Sequence, residues 1–284
     1  MNTTEQIDVQ SQSESAPIQG FVSGTLVHTL EGRKPIEQIK VGDQVLAGPQ
    51  SGEGEATAQP VTQVFEYQNR ELYFLPITEV DENLKYHRGN RFEGVAVTGG
   101  HPIWIDQYRQ KTWEGEIVVT QVSAWVSVEN YYLKAWKIWE HAELDNRLSE
   151  PKAYGRLSNG RLVSVGIPSP ILKGHKPNEG VLFEDHPGWE GQGITVVFGP
   201  DGVQWSDKET GLGWNAADAN YDYTGYDTVS PMSVVVRSKG HLPIRRTVYN
   251  LEVANTHSYF VGDQGLWAHD VTVSESLLQS GNEL

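Results

Sequence analysis

From Gly20 to Ala47 the chain reads GFVSGTLVHTLEGRKPIEQIKVGDQVLA. Its apolar stretches are short (Thr25–Thr29, Lys34–Ile39, Gln44–Ala47) and are broken by Gly32 and Gly42. Short runs punctuated by glycine predict β-strands joined by turns. The same texture continues outward. Gly48–Gln59 reads as a mobile Gly/Glu/Ala/Gln loop. Val61–Tyr67 and Glu71–Thr78 predict two strands joined at Gln68-Asn69-Arg70, and Gly94–Thr98 and His101–Asp106 two more around Gly99-Gly100. Val234–Val236 and Val248–Val253 predict further strands. Ser258–Val261 and Gly265–His269 form a last pair, with Gly262-Asp263-Gln264-Gly265 as a hairpin connection. Glu129–Leu148 fits a helix with Tyr132, Trp136 and Trp139 on one face. It also fits a strand followed by a turn, which its strand-forming neighbours favour. The expected fold class is all-β.

Composition narrows the function. The chain has 284 residues, enough for one large domain or two small ones with a real core. It contains no Cys, which excludes a disulfide framework, a thiolate metal site and a cysteine nucleophile. A net charge of −15 argues against nucleic-acid partners, whose phosphates are bound largely by Lys and Arg. It argues equally against an electrostatic membrane anchor. No run reaches the roughly 18 apolar residues that suggest a spanning helix. Met1–Gln19 is polar, lacks an apolar h-region, and reads as a disordered leader rather than a secretory signal. The protein is therefore expected in the cytoplasm at synthesis.

Three segments carry chemistry. They are Gly20–Ala47, Val97-Thr-Gly-Gly-His-Pro102, and Val248–Gly262 continuing through Gly265-Leu-Trp-Ala-His-Asp270. In this order and spacing they closely resemble the Hint (hedgehog/intein) family, in particular the pretoxin-type Hint module found upstream of toxin domains in bacterial polymorphic toxins. The resemblance implies a horseshoe-shaped fold of pseudo-symmetric β subdomains in which both ends of the domain meet at one site. It also implies autoproteolysis. A first-position Cys attacks the preceding carbonyl, a Thr-x-x-His element polarises that peptide, and a last-position Asn cyclises on its own carbonyl, helped by the penultimate His. No cofactor or metal is implied, because side chains and water suffice.

Carried over residue by residue, Thr98 and His101 match the Thr-x-x-His element. His257 matches the His before the second-last strand, and His269 the penultimate His. The two covalent positions differ: Gly20 stands where the nucleophilic Cys is expected and Asp270 where the cyclising Asn is expected. Acyl shift needs an activated nucleophile. Gly20 has none, and Ser23 lies three residues away on an expected strand. A carboxylate at Asp270 can still attack its own carbonyl to give a cyclic anhydride that water reopens, with His269 as general acid for the departing Val271 amine. Without strong help that reaction is slow at neutral pH. Read without the flanking segments, His101 is a strand-entry histidine, Thr98 an ordinary β-branched strand residue, and His257 the cap of a turn.

The expected organisation is a leader (1–19), a Hint-like domain (20–270) with an insertion or divergent part over about 141–235, and a C-terminal tail (271–284). Asn178–Thr228 holds ten acidic residues against Lys208 alone, together with Trp189, Trp205 and Trp214. It reads as a solvated acidic insertion or, alternatively, as a partner surface with Trp anchors. Asp218, Asp222 and Asp227 do not follow the spacing of a calcium loop. The favoured function is a degenerate Hint module of a bacterial toxin system, with the N-terminal acyl shift lost and cleavage after Asp270 slow or absent. The alternative is a catalytically dead scaffold that binds a toxin or immunity protein through the insertion. Export by a dedicated secretion system is compatible with either.

Overall fold

The computed structural model describes residues 18–52, 54–80, 92–112, 114–131, 152–174, 176–183, 192–199, 202–206, 214–215 and 242–270. Among them the chain is almost entirely β, in two sheets of 15 and five strands. The all-β class read from the sequence stands.

The larger sheet closes on itself. From Phe21–Val22 it passes through Arg245–Val253, Thr57–Glu71, Gln44–Ala47, Leu26–Thr29, Ser258–Val261, Leu266–His269 and Pro102–Lys111. Lys152–Arg156 pairs with Pro102–Lys111 and with Leu162–Val165, and Tyr73–Glu79 and Phe92–Val97 then lead back to Phe21. Such a circuit leaves few unpaired backbone edges. It also brings the two ends of the domain together: Phe21 lies opposite Tyr249, and Val27 opposite Val261. Phe21, Val27, Val45, Ile103, Leu251 and Tyr259 are buried in the core that fills it.

The smaller sheet comprises Leu172–Lys173, Glu179–Phe183, Gln192–Gly199, Gly202–Ser206 and Trp214–Asn215. Its Leu182 and Val196 share a second apolar cluster with Val22, Phe74 and Val248. Part of the acidic stretch 178–228 is thus packed against the main sheet.

Several expected elements differ. Thr57–Glu71 is one long strand that runs through Gln68-Asn69-Arg70, because Arg245–Val253 pairs along it from Glu71 to Val61. Asn69 takes up the irregularity at φ 60°, and the chain turns at the buried Leu72 instead. The strand expected to reach Ile39 stops at Pro35, and Ile36–Gln38 forms a 3-10 turn that buries Ile36. Residues 128–131 are helical, not extended, and the Ser127 hydroxyl accepts the Asn130 amide at 3.3 Å, as a helix-capping serine does. The rest of Glu129–Leu148, and Val234–Val236, lie outside the described residues. Gln19, assigned to the leader, is buried.

Candidate functional site

At the N-terminal half of the site, pairing of Phe21 with Val97 sets Gly20 beside Thr98. The Gly20 amide donates to Thr98 Oγ1 at 3.0 Å, and the Thr98 amide donates to the Gly20 carbonyl at 3.0 Å. The Thr98 hydroxyl therefore touches the nitrogen of the Gln19–Gly20 peptide. The His101 amide closes back on the Thr98 carbonyl at 3.2 Å, so the Thr-x-x-His element is a tight turn. The His101 ring is fully buried, its edge against Phe21 at a centroid distance of 4.2 Å. Neither of its nitrogens has a hydrogen-bond partner among the described residues. Burial pushes its pKa down to about 3. His269 pushes the same way and Asp270 opposes them. His101 is a neutral imidazole.

Gly20 is more than an absent side chain. A Cβ built there would lie 2.9 Å from Val248 Cγ2 and 3.0 Å from the Tyr249 carbonyl oxygen. Both neighbours belong to the strand paired with Phe21–Val22 and have little freedom to retreat. The position is packed for glycine.

At the C-terminal half, Asp270 is completely buried and held on several sides. Its amide donates to the His257 carbonyl at 3.0 Å. Its Oδ2 accepts the Val253 amide at 3.0 Å and lies 3.2 Å from His257 Nδ1. His257 adopts φ 50° in the turn that leaves Arg245–Val253, and this bend puts both its carbonyl and its ring on Asp270. His269 Nδ1 sits 3.0 Å from the Asp270 carbonyl oxygen and 3.5 Å from Oδ1. The Asp270 carboxyl also helps raise the pKa of the buried Tyr259, after burial itself, so Tyr259 stays a neutral donor. Its hydroxyl donates to Asn250 Oδ1 at 2.6 Å.

No protein-family model and no curated protein sequence matches the chain. Solved structures similar to it include a bacterial intein-like domain from Clostridium thermocellum, at 16% identity and TM-score 0.39, and a DnaB intein from Synechocystis sp. PCC 6803, at 10% and 0.39. A third is the gp41-1 intein, at 12% and 0.33. Each likeness covers 89% of this chain and 99% of the other. These are inteins and intein-like domains.

The structure brings together the six residues of the expected site: Gly20, Thr98 and His101 on one side, His257, His269 and Asp270 on the other. His269 Nδ1 faces the carbonyl oxygen of Asp270 at 3.0 Å, the side from which a charge developing on that oxygen would be stabilised. Among the described residues no group of three or more His, Asp or Glu side chains is arranged to hold a metal ion.

Sequence reading missed the segment that packs beneath His269. Gly48–Gly52, expected to be mobile, is bound to a cluster of Trp104, Trp125, Trp267 and Phe260. The Trp125 indole donates to the Gln50 carbonyl at 3.2 Å, and Ser258 Oγ donates to the Gly48 carbonyl at 2.7 Å. Arg156, paired with the buried Asp106, donates to the Gly52 carbonyl at 3.1 Å. A Cβ at Gly48 would fall 2.4 Å from the Trp267 ring, and one at Gly52 2.1 Å from the Trp104 ring. The sequence hint was the spacing Gly48-Pro-Gln-Ser-Gly52, two glycines flanking a tight turn; the tryptophans it rests on are scattered along the chain.

Proposed function

We propose that the chain is a Hint-type self-processing module of a bacterial toxin system that has lost its N-terminal acyl shift and retains a slow cleavage after Asp270. The observation that carries this reading is the buried Asp270, with its carboxyl on His257 and its own carbonyl oxygen on His269 Nδ1. A side-chain carboxyl bonded to one proton carrier, beside a carbonyl polarised by another, is the arrangement that intramolecular attack requires.

The step balances as follows. The Asp270 carboxyl oxygen adds to the Asp270 carbonyl carbon, and the charge on the carbonyl oxygen is held by the His269 Nδ1–H. The C–N bond to Val271 breaks and leaves a five-membered cyclic anhydride. The proton shared between the Asp270 carboxyl and His257 is the proton that the departing Val271 nitrogen takes up. Water then opens the anhydride and regenerates Asp270 with a free α-carboxylate. The cargo in this reading is the segment that follows Asp270. At the other end Gly20 offers no nucleophile, and its neighbours close the space where one would stand.

Intact mass followed over days, between pH 5 and 8, tests the reading in the wild type beside Asp270→Asn. In the variant an amide nitrogen replaces the carboxylate oxygen, and attack yields a stable imide. The expected outcome is slow loss of Val271–Leu284 from the wild type and a faster loss from Asp270→Asn. If neither folded protein loses mass, the self-processing reading fails, and the acidic insertion becomes the surface to test for a toxin or immunity partner.

A further inference from the structure

The cleavage reading asks His269 to donate from Nδ1, and nothing in an isolated imidazole ensures that. A neutral histidine carries one ring proton, and whichever hydrogen bond its other nitrogen makes selects the tautomer. The Asp270 carbonyl oxygen only accepts, so the contact at 3.0 Å requires the proton on Nδ1. Nε2 must then accept. The atom facing it is the amide nitrogen of Gln50, a donor, at 3.1 Å. The two ends of the ring agree.

Gln50 reaches this position because its backbone is fixed. Its carbonyl is bound by the Trp125 indole, whose ring stands edge-on to His269 at 4.8 Å and 86°. The neighbouring glycines let the turn lie flat on Trp267 and Trp104 where no Cβ fits. One tryptophan thus holds both the amide's backbone and the imidazole it addresses.

We infer that Gln50 is a positioning residue that locks His269 in its Nδ1–H tautomer, making the Gly48–Gly52 turn part of the cleavage site. The inference rests on the cleavage reading for its consequence, while the tautomer can be observed without any cleavage. It predicts that changing the donor to a group that cannot donate releases the lock. Gln50→Leu removes the donor. Gln50→Glu replaces it with an acceptor that favours a proton on Nε2.

The experiment is long-range 15N–1H NMR of histidine-labelled full-length protein, with intact-mass kinetics of the same substitutions in an Asp270→Asn background. The expected spectrum of the wild type shows His269 protonated at Nδ1 and bare at Nε2. In Gln50→Leu the signals move toward a mixture of tautomers, and in Gln50→Glu toward a ring that carries a proton on Nε2. Cleavage by Gln50→Leu falls about tenfold or more, as when an orienting partner of a functional histidine is removed. Near-ultraviolet circular dichroism of the tryptophan cluster checks that each variant is folded. A wild-type His269 protonated at Nε2, or a Gln50→Leu protein with an unchanged tautomer, overturns the inference. If the tautomer shifts as expected and no protein cleaves, the locking role stands and the cleavage reading is what fails.

Discussion

The two halves of the site use similar materials and leave them in different conditions. Around Gly20 the Thr98 hydroxyl still bonds the peptide amide and His101 still stands close by. Yet neither ring nitrogen of His101 bonds to a described residue, and the space for a nucleophile is closed by Val248 and the Tyr249 carbonyl. Around Asp270 the bonding is dense: the carboxyl, the amide and the carbonyl each have a partner, and Gln50 extends the chain of contacts past His269. At one end Gly20 carries no nucleophile and is closely packed, whereas at the other Asp270 sits in a continuous hydrogen-bonded frame. A frame that costs buried polar groups persists most easily where each group is satisfied.

The largest expected effect separates the halves by rate. In the Asp270→Asn background, His269→Ala should slow release of Val271–Leu284 by about 10²–10³-fold, the usual loss when an oxyanion donor is removed. Thr98→Val should leave that rate essentially unchanged, since Thr98 bonds the Gly20 amide and not Asp270. Mass spectrometry on purified, folded variants reads both. Equal slowing by the two substitutions would break the comparison, because it would make the halves one coupled machine.

A smaller effect sharpens it on the packing side. Gly20→Ala should destabilise the fold by about 1–3 kcal/mol, the range for overpacking a tight site. The same substitution in a Val248→Ala background should cost much less, because the contact at 2.9 Å is with Val248 Cγ2. Urea unfolding of the four proteins in this cycle isolates the coupling from the separate cost of trimming Val248. Additive costs would show that Val248 is not what closes the position. The Tyr249 carbonyl oxygen, 3.0 Å from the same point, would then be the obstacle.

How much of this was legible in the sequence follows the same division. Short Gly-broken runs gave the all-β class and located the strands Gln44–Ala47 and Ser258–Val261 with their ends correct. The resemblance of three segments to Hint modules pointed to Thr98, His101, His257, His269 and Asp270, residues that the fold brings together. Three kinds of feature were not readable. The length of Thr57–Glu71 depends on its partner Arg245–Val253, a long-range pairing that no local pattern reveals. The order of Gly48–Gly52 comes from Trp104, Trp125 and Trp267, each on a different strand, so a segment with loop-like composition is held by side chains far away in sequence. The direction in which His269 points is a hydrogen-bonding matter, and sequence gave its presence without its tautomer. Closure at Gly20 is likewise a property of the neighbouring strand, since a missing side chain looks the same in sequence whether the space is open or filled.

The smallest effect, and the most direct test of the unbonded His101 ring, is the pH dependence of stability. His101 carries a pKa lowered from 6.5 to about 3, mainly by burial. Between those values the unfolded chain takes up a proton that the folded chain refuses, so stability is full above pH 6.5 and declines as pH falls toward 3. The slope from one such group is about 1.4 kcal/mol per pH unit. His101→Phe replaces the ring with one that does not titrate and gives up no hydrogen bond to a described residue. Between pH 7 and pH 5 the urea midpoint of the wild type should therefore fall further than that of His101→Phe. His28, whose pKa is also lowered by burial, is present in both proteins and cancels in the difference. If the two proteins lose stability in parallel, His101 is protonated or solvated in the folded state. The N-terminal half would then retain a working histidine, and its contrast with Asp270 and His269 would reduce to the missing nucleophile alone.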